Sequence, residues 1–207
     1  MGPKQRRERE REEVRTRILD AARDIFVREG SEALTMRRIA ETIEYSATAI
    51  YFHFRDKEAL LRELCRVDFL SLAQSFGKIA RVADAIDRLR KIGHAYAEFA
   101  LTHPNHYQLM FMVGRAPKEQ DVLEKGNPTE DAYAFVRLTI AEGLAHDRFR
   151  ADLKDIDLIA QTVWAGVHGV VALEIARGDD PWIEWRPIKK RVQLMVDLLI
   201  DGLAEKD

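Results

Sequence analysis

Apolar residues recur along this chain at steps of three and four, and no segment alternates convincingly between apolar and polar residues. This spacing is that of an α-helix with one buried face, so the pattern predicts an all-α fold. Val14, Ile18 and Ile25 mark the first helix, and Gly30 offers a left-handed residue just past its end.

Two short helices are predicted next, over about residues 36–43 and 47–53. Thr35 and Ser46 precede them and have side chains suited to cap the first turn of a helix. Asp56 can cap a fourth helix, which continues through Leu72.

The rest of the chain predicts five further helices. The first stops before Pro104, whose ring disfavours helix at the preceding residue. Two stretches rich in glycine, proline and charge predict a loop over 114–129 and a break over 178–181. The five helices are expected at about residues 82–101, 105–113, 130–146, 154–177 and 187–204.

Composition narrows the possible functions. The chain has 207 residues with 33 Lys+Arg against 35 Asp+Glu, so its formal net charge is −2. A strongly basic nucleic-acid binder is excluded, although a local basic patch is not. The first twenty residues are too charged for a signal peptide, and no membrane-spanning segment is expected.

The single cysteine, Cys65, excludes an intramolecular disulfide and favours a reducing compartment. Its apolar neighbours suggest a small buried side chain rather than a redox sensor. His103 and His106 flank a proline, and no carboxylate or thiol cluster accompanies them, so neither a metal site nor a cofactor is predicted.

Charge is concentrated near the N-terminus, where residues 1–17 hold seven basic and four acidic side chains. A solvated helix face with Glu–Arg pairs, such as Glu13 with Arg17, is one interpretation. An arm that lies near a phosphate backbone is the other.

The second and third helices, with a connection of three or four residues, have the dimensions of a helix-turn-helix. In the third helix, small residues lead and would allow close approach to the floor of a major groove. Thr48 can hydrogen-bond a base or offer its methyl group to thymine. Ile50 and Phe54 are expected to face inward.

Residues 15–62 resemble the DNA-binding domain of TetR-family transcriptional regulators. The resemblance is carried by Ile18 to Ala22, Phe26, Gly30, Thr35, Ile39-Ala40 and the run from Ser46 through Tyr51, His53 and Lys57 to Leu61. It implies a DNA-binding domain over 1–60, with a charged arm at 1–12, and a helical ligand-binding and dimerisation domain over 61–207. A cytoplasmic bacterial location follows from the same resemblance.

The resemblance also implies roles for individual residues. Thr35, Tyr51 and Lys57 match positions that contact phosphates. His53 matches a position near phosphate at the end of the third helix, which is the recognition helix of the family. The whole set of implied DNA contacts is Thr35, Met36, Arg37, Tyr45, Ser46, Ala47, Thr48, Ala49, Tyr51, His53 and Lys57. Alternatively, Tyr51 is a core aromatic residue, Thr35 only a cap, and Lys57 a solvated side chain.

Two positions depart from the family pattern. Glu44 stands in the turn and Thr48 in the recognition helix, where many members have glycine. Glu44 is expected to need a left-handed backbone or a different turn, and its carboxylate would repel phosphate.

Further along, residues Trp164 to Gly169 resemble the Trp…His-Gly signature of a C-terminal subgroup called the WHG domain, and residues 103–111 match its Pro-x-x-Tyr-x-x-Met-Phe stretch. Gly166 and Gly169 would permit close helix approach. A ligand pocket is one interpretation; a Trp and a His held in the core is the other. The expected pocket residues are Tyr96, Phe99, Tyr107, Phe111, Phe135, Trp164 and His168.

The helix over 154–177 is apolar around most of its circumference and is expected to be buried on several sides. The last helix carries an apolar stripe that includes Val192 and Leu199. The family resemblance implies that these two helices form a homodimer; otherwise both stripes belong to the core of one monomer.

The favoured function is a repressor that binds double-stranded palindromic DNA as a homodimer and is released by a small, largely apolar effector. A helical small-molecule-binding scaffold without specific DNA binding is the alternative. An all-α enzyme with His168 as general base is a third interpretation, but no catalytic motif accompanies that residue.

Overall fold

The computed structural model describes residues 2–113 and 126–205. The described chain forms two compact units. The first contains residues 2–68 and 105–113, and the second contains residues 69–104 and 126–205. The functional boundary expected at residue 60 stays a prediction, and most of the loop expected at 114–129 lies outside the described residues.

Four helices occupy the N-terminal part of the chain. They are α1 (Pro3–Ala33), α2 (Met36–Thr42), α3 (Ala47–His53) and α4 (Lys57–Ser75). The predicted end of the first helix at Gly30 is a kink inside α1, where Gly30 has φ 83° and ψ 177°. Glycine adopts this non-helical conformation readily because it has no Cβ, and residues 31–33 form a short helical stretch beyond the kink.

The remaining helices agree with the sequence pattern to within a few residues. They are α5 (Ala85–Thr102), α6 (Pro104–Gln108), α7 (Ala132–Ala145), α8 (Ile156–Arg177) and α9 (Ile188–Leu203). A 3₁₀ turn over Ile79–Arg81 precedes α5, and a π-helical turn over Leu109–Val113 follows α6. Where the chain is described, it forms no strand beyond one isolated antiparallel bridge between Phe149 and Ala204.

The core of the first unit fixes α2 and α3 against α1. Ile18, Ala22 and Ile25 of α1 are almost completely buried, as are Ile39 of α2 and Ile50 of α3. A helix of seven residues is unstable alone in water, so these contacts hold α2 and α3 in place. Leu60, Leu64 and Leu109 complete the same cluster.

In the second unit, α5 packs against α7, α8 and α9. The expectation that α8 is buried on several sides is not met within the single chain. Only one of its faces is buried, and Leu158 and Leu173 are 61% and 53% exposed. By length and composition alone, α8 is long and apolar enough to span a membrane. In its most apolar stretch of 18 residues, 28% of the residues are buried. Core helices of soluble proteins meet the same criterion.

Candidate functional site

Local hydrogen bonds set the turn between α2 and α3. The Thr35 hydroxyl accepts the Arg38 N–H at 3.1 Å, and the Ser46 hydroxyl accepts the Ala49 N–H at 3.2 Å. These bonds confirm both predicted caps. Glu44 lies between the helices with φ 60°, so the left-handed backbone expected at this departure from glycine is present.

The turn leaves one face of α3 exposed. Ile50 and Phe54 point into the core as predicted, with 0% and 3% exposure. On the outer side Ser46, Thr48 and Tyr51 are exposed, and Ala47 and Ala49 are half-buried between them. Small residues on an exposed helix face suit close approach to a major groove.

Tyr51 is 53% exposed, which excludes the alternative that it is a core aromatic residue. Its hydroxyl is therefore available as a phosphate partner. Tyr45 is also exposed, at 37%, and the Arg17 guanidinium lies 5.3 Å from its ring centroid.

One predicted DNA contact needs correction. The Met36 side chain is only 6% exposed, because it packs in the core of the first unit. Only its backbone N–H, in the first turn of α2, is in a position suited to an anion. By comparison, the Arg37 side chain is 86% exposed, and its guanidinium pairs with Glu41 at 3.1 Å.

Lys57 is half-buried rather than fully solvated, and its ammonium donates to the Ser31 carbonyl at 2.6 Å. An ammonium has three donors, so this bond leaves others for a phosphate. Asp56, directly before it, accepts the Ala59 N–H at 2.7 Å and confirms the predicted cap of α4.

His53, at the end of α3, is half-buried. Burial lowers its pKa, and the nearby Arg11 and Arg15 guanidinium groups lower it further. The imidazole is therefore neutral near pH 7.

Sequence reasoning missed a group of residues beside α3. Phe52 is 74% exposed, and the Arg11 guanidinium lies 5.6 Å from its ring centroid. Arg15 lies 4.4 Å from the Phe54 ring and 2.9 Å from the Glu63 carboxylate. The sequence did contain a signal for this placement. Arg11, Arg15 and Ile18 follow each other at steps of four and three, so they share the helix face that points towards the core of the first unit.

The expected pair of Glu13 with Arg17 is not formed. Glu13 pairs with Arg9 at 3.2 Å, and Arg17 donates instead to the Ile43 carbonyl at 3.2 Å. Arg17 thus ties α1 to the turn between α2 and α3.

In the second unit, Tyr96 joins α5 to two residues of α8. Its hydroxyl accepts the Trp164 indole N–H at 3.1 Å and lies 2.9 Å from His168 Nδ1. Indole can only donate, so the phenol oxygen is the acceptor for Trp164. A neutral imidazole completes the cluster either by accepting the phenol proton at Nδ1 or by donating its Nδ1–H to the phenol oxygen. Burial also lowers the pKa of His168, which favours the same neutral form.

The other predicted pocket residues have different neighbours. Phe99 packs on His103 with ring centroids 5.2 Å apart, and Phe135 packs on Phe76 at 6.0 Å. Tyr107 and Phe111 belong to the first unit, where their rings lie 5.0 Å apart. The structure therefore brings together Tyr96, Trp164 and His168, and a single pocket formed by all seven residues stays a prediction.

Other candidate chemistry is limited. Over residues 2–113 and 126–205, no three His, Cys, Asp or Glu side chains form a group that could hold a metal ion. Cys65 is partly buried, its thiol lies 3.7 Å from the Leu109 carbonyl, and burial raises its pKa to about 11. Such a thiol is a poor nucleophile at neutral pH.

Comparisons with known proteins agree with this geometry. Residues 18–64 match the family model described as "Bacterial regulatory proteins, tetR family". Residues 89–199 match the model described as "Tetracyclin repressor-like, C-terminal domain". The WHG subgroup suggested by residues 164–169 stays a prediction.

Among curated relatives, the HTH-type transcriptional repressor KstR2 of Mycolicibacterium smegmatis is 31% identical over 165 residues, which cover 74% of this chain and 78% of that protein. A Rhodococcus sp. RHA1 protein of unknown function has the same fold, with TM-score 0.75 at 24% identity, covering 92% of this chain and 95% of that one. The TetR-family regulator PfmR of Thermus thermophilus has TM-score 0.69 at 22% identity, covering 91% and 99%. The scaffold and enzyme alternatives are not favoured by these matches, and the chain belongs to the TetR family of DNA-binding transcriptional regulators.

Proposed function

We propose that this protein is a repressor that binds an inverted-repeat operator as a homodimer and releases it when a small, largely apolar effector binds the second unit. The observation that carries the DNA part is the exposed face of α3, where Thr48 and Tyr51 project from a helix fixed by buried Ile50. A regulator of this kind acts on the chromosome, in the bacterial cytoplasm.

Different residues of the first unit have different tasks in this proposal. Thr48, with Ala47 and Ala49 beside it, faces the base edges and supplies sequence preference. Phosphate contacts from Thr35, Tyr51, His53 and Lys57 fix the register, and Arg37, Tyr45 and Ser46 contact bases or the adjacent backbone.

Exposed apolar residues on α8 and α9 support the homodimer. Leu158 and Leu173 of α8 are more than half exposed, as are Leu194 and Leu198 of α9, at 60% and 64%. Large apolar side chains exposed on two helices that pack on each other are typical of an interaction surface. A two-fold axis through this face would pair each helix with its copy and form a four-helix interface.

The cluster of Tyr96, Trp164 and His168 supports an effector site. Trp164 is 41% exposed, so an aromatic surface lies beside a hydroxyl and an imidazole. A few polar groups within an apolar surround suit small amphipathic molecules. For the effector to release DNA, it must bind the two states of the dimer with affinities that differ by about 1–3 kcal/mol.

The first experiment is selection of DNA sites from a random pool, followed by measurement of the affinity of the selected site against salt. An inverted repeat with a slope of log K against log salt near −0.9 per phosphate contact is the expected result. Weak binding to every duplex without enrichment would support the scaffold alternative. Effectors are then found as compounds that abolish binding to the selected site.

The Tyr96 cluster is tested with the first effector found. Trp164→Phe should weaken the effector's release of DNA while leaving the operator affinity of the effector-free protein unchanged. Trp182→Phe is the control, because that indole is 92% exposed in the segment between α8 and α9. Equal effector responses in both variants would place the effector elsewhere.

A further inference from the structure

The first three turns of α1 extend beyond the core that they lead into. α1 has 31 residues, and Ile18 is its first buried residue. Residues 2–13 are all exposed, so about 16 Å of helix continues outward from the core of the first unit. Burial within the first unit does not explain this extension, since no side chain of residues 2–13 is buried.

One face of the extension is basic. Lys4, Arg7 and Arg11 follow each other at steps of three and four, and the same steps continue to Arg15 and Ile18. Residues at these steps share a face of a helix. The basic face is therefore the outward continuation of the face that packs into the core of the first unit.

This face lies beside the recognition helix. The Arg11 guanidinium is 5.6 Å from the ring centroid of Phe52, and Arg15 Nη1 donates to the His53 carbonyl at 3.5 Å. Both contacts are with α3. From Arg11, the extension continues a further 10 Å or so to Lys4.

The charges on the two sides of the extension differ. Away from α3, Arg6 pairs with Glu10 at 2.8 Å and Arg9 pairs with Glu13 at 3.2 Å. Lys4, Arg7 and Arg11 form no ion pair within the part of the chain that the structure describes. Glu8 and Glu12 flank the basic face but are likewise without a salt bridge to it there, so a cationic surface remains.

We propose that Lys4, Arg7 and Arg11 form an additional phosphate-binding surface, which contacts the DNA backbone beside the half-site that α3 recognises. The inference rests on the proposed function. Cations on flexible side chains bind phosphate without regard to base, so these residues add affinity and salt dependence rather than sequence preference.

The test compares two triple variants that each remove three positive charges from α1. The first is Lys4→Gln, Arg7→Gln and Arg11→Gln. The control is Arg6→Gln, Arg9→Gln and Arg28→Gln, whose arginines are exposed and paired with Glu10, Glu13 and Asp24. Glutamine preserves helix propensity in both.

The slope of log K against log salt for the selected operator should fall in magnitude by about 0.9 for each phosphate that the first variant no longer neutralises. The base preferences of the selected site should not change. The control should keep a slope close to that of the wild type. Equal slopes for the two variants would overturn the proposal, whereas failure of the wild type to select any site would overturn the proposed function as well.

Arg11 also contacts Phe52, so its replacement could act through α3. The double variant Lys4→Gln with Arg7→Gln keeps that contact and separates the two effects. A reduced slope with unchanged base preference supports the phosphate surface. A wild-type slope in the double variant, with a change only when Arg11 is replaced, would refute it.

Discussion

Arg23 of α1 and Asp68 of α4 form an ion pair inside the first unit. Arg23 Nη2 donates to Asp68 Oδ1 at 2.7 Å, and the two side chains are 15% and 1% exposed. His106 Nδ1, from α6, lies 2.9 Å from the same oxygen. A carboxylate removed from water in this way is tolerated only because a cation and hydrogen bonds compensate it.

Asp68→Asn should therefore destabilise the protein strongly. The substitution removes the buried carboxylate of the pair and leaves the Arg23 guanidinium with only the exposed Asp20, at 3.6 Å. Breaking a buried pair costs about 3–5 kcal/mol. Urea denaturation measures the free energy of unfolding. Asp24→Asn is the control, because Asp24 pairs with Arg28 at 3.4 Å in solvent and should cost less than about 1 kcal/mol. Equal losses of unfolding free energy in the two variants would show that the buried pair stabilises the protein no more than the exposed one.

Glu44→Gly should stabilise the fold. Glu44 has φ 60°, a conformation that costs a residue with a Cβ about 1–2 kcal/mol and glycine nothing. The entropy that glycine loses on folding offsets part of this gain, so we expect a net increase of about 0.5–1 kcal/mol in the free energy of unfolding. Glu41→Gly, inside α2, should lower it by about the same amount. A lower free energy of unfolding in Glu44→Gly would contradict the prediction that the backbone of Glu44 is strained.

The sequence predicted well where structure depends on neighbours in the chain. Thr35, Ser46 and Asp56 cap helices through bonds to the N–H three residues on, and that information is contained in four residues. The inward side of α3 could also be predicted from neighbouring residues, because Ile50 and Phe54 are four apart and both are buried. The helix-turn-helix and the family followed from these short patterns.

What the sequence could not provide is pairing over long distances. Arg23 and Asp68 are 45 residues apart, and periodicity in one helix contains no information about its partner. The same limit explains Met36, whose burial depends on how α2 sits on α1. The same limit applies to the burial of α8. The periodicity of one helix does not show how many neighbouring helices cover its apolar surface.

Stability should fall as the solution is acidified below about pH 6.5. Burial lowers the pKa values of His53 and His168 in the folded chain, so below the ordinary value the unfolded chain binds more protons. The two histidines contribute this stability fully above their pKa in the unfolded chain. The contribution is lost as the pH falls towards their lower pKa in the folded chain. Urea denaturation at about pH 7.5 and 5.5 measures it. The variant His53→Gln with His168→Gln should show a smaller pH dependence, and an unchanged one would assign the effect to other groups.

Gly143→Ala should destabilise the second unit. A Cβ at this position of α7 would lie 2.4 Å from Phe149 Cε2 and 3.1 Å from the Ala85 Cβ. A packed ring cannot yield by that much without cost, so we expect a loss of about 1–3 kcal/mol in thermal or urea denaturation. Gly202→Ala is the matched control, because its Cβ would have nothing within 4 Å. That control should be neutral or slightly stabilising, and similar losses in both variants would rule out the steric explanation.

Leu198→Glu should convert the protein to a monomer and abolish tight operator binding. Leu198 is 64% exposed on α9, and a carboxylate at the proposed two-fold interface would face its own copy without a partner. Sedimentation equilibrium should give half the wild-type mass at the same concentration. Operator affinity should fall because the two half-sites are then bound independently rather than by one linked dimer. Leu138→Glu, at a 42% exposed position of α7, is the control and should leave both mass and affinity unchanged. If instead Leu198→Glu remained dimeric while Leu138→Glu dissociated, the interface would involve α7 rather than α9.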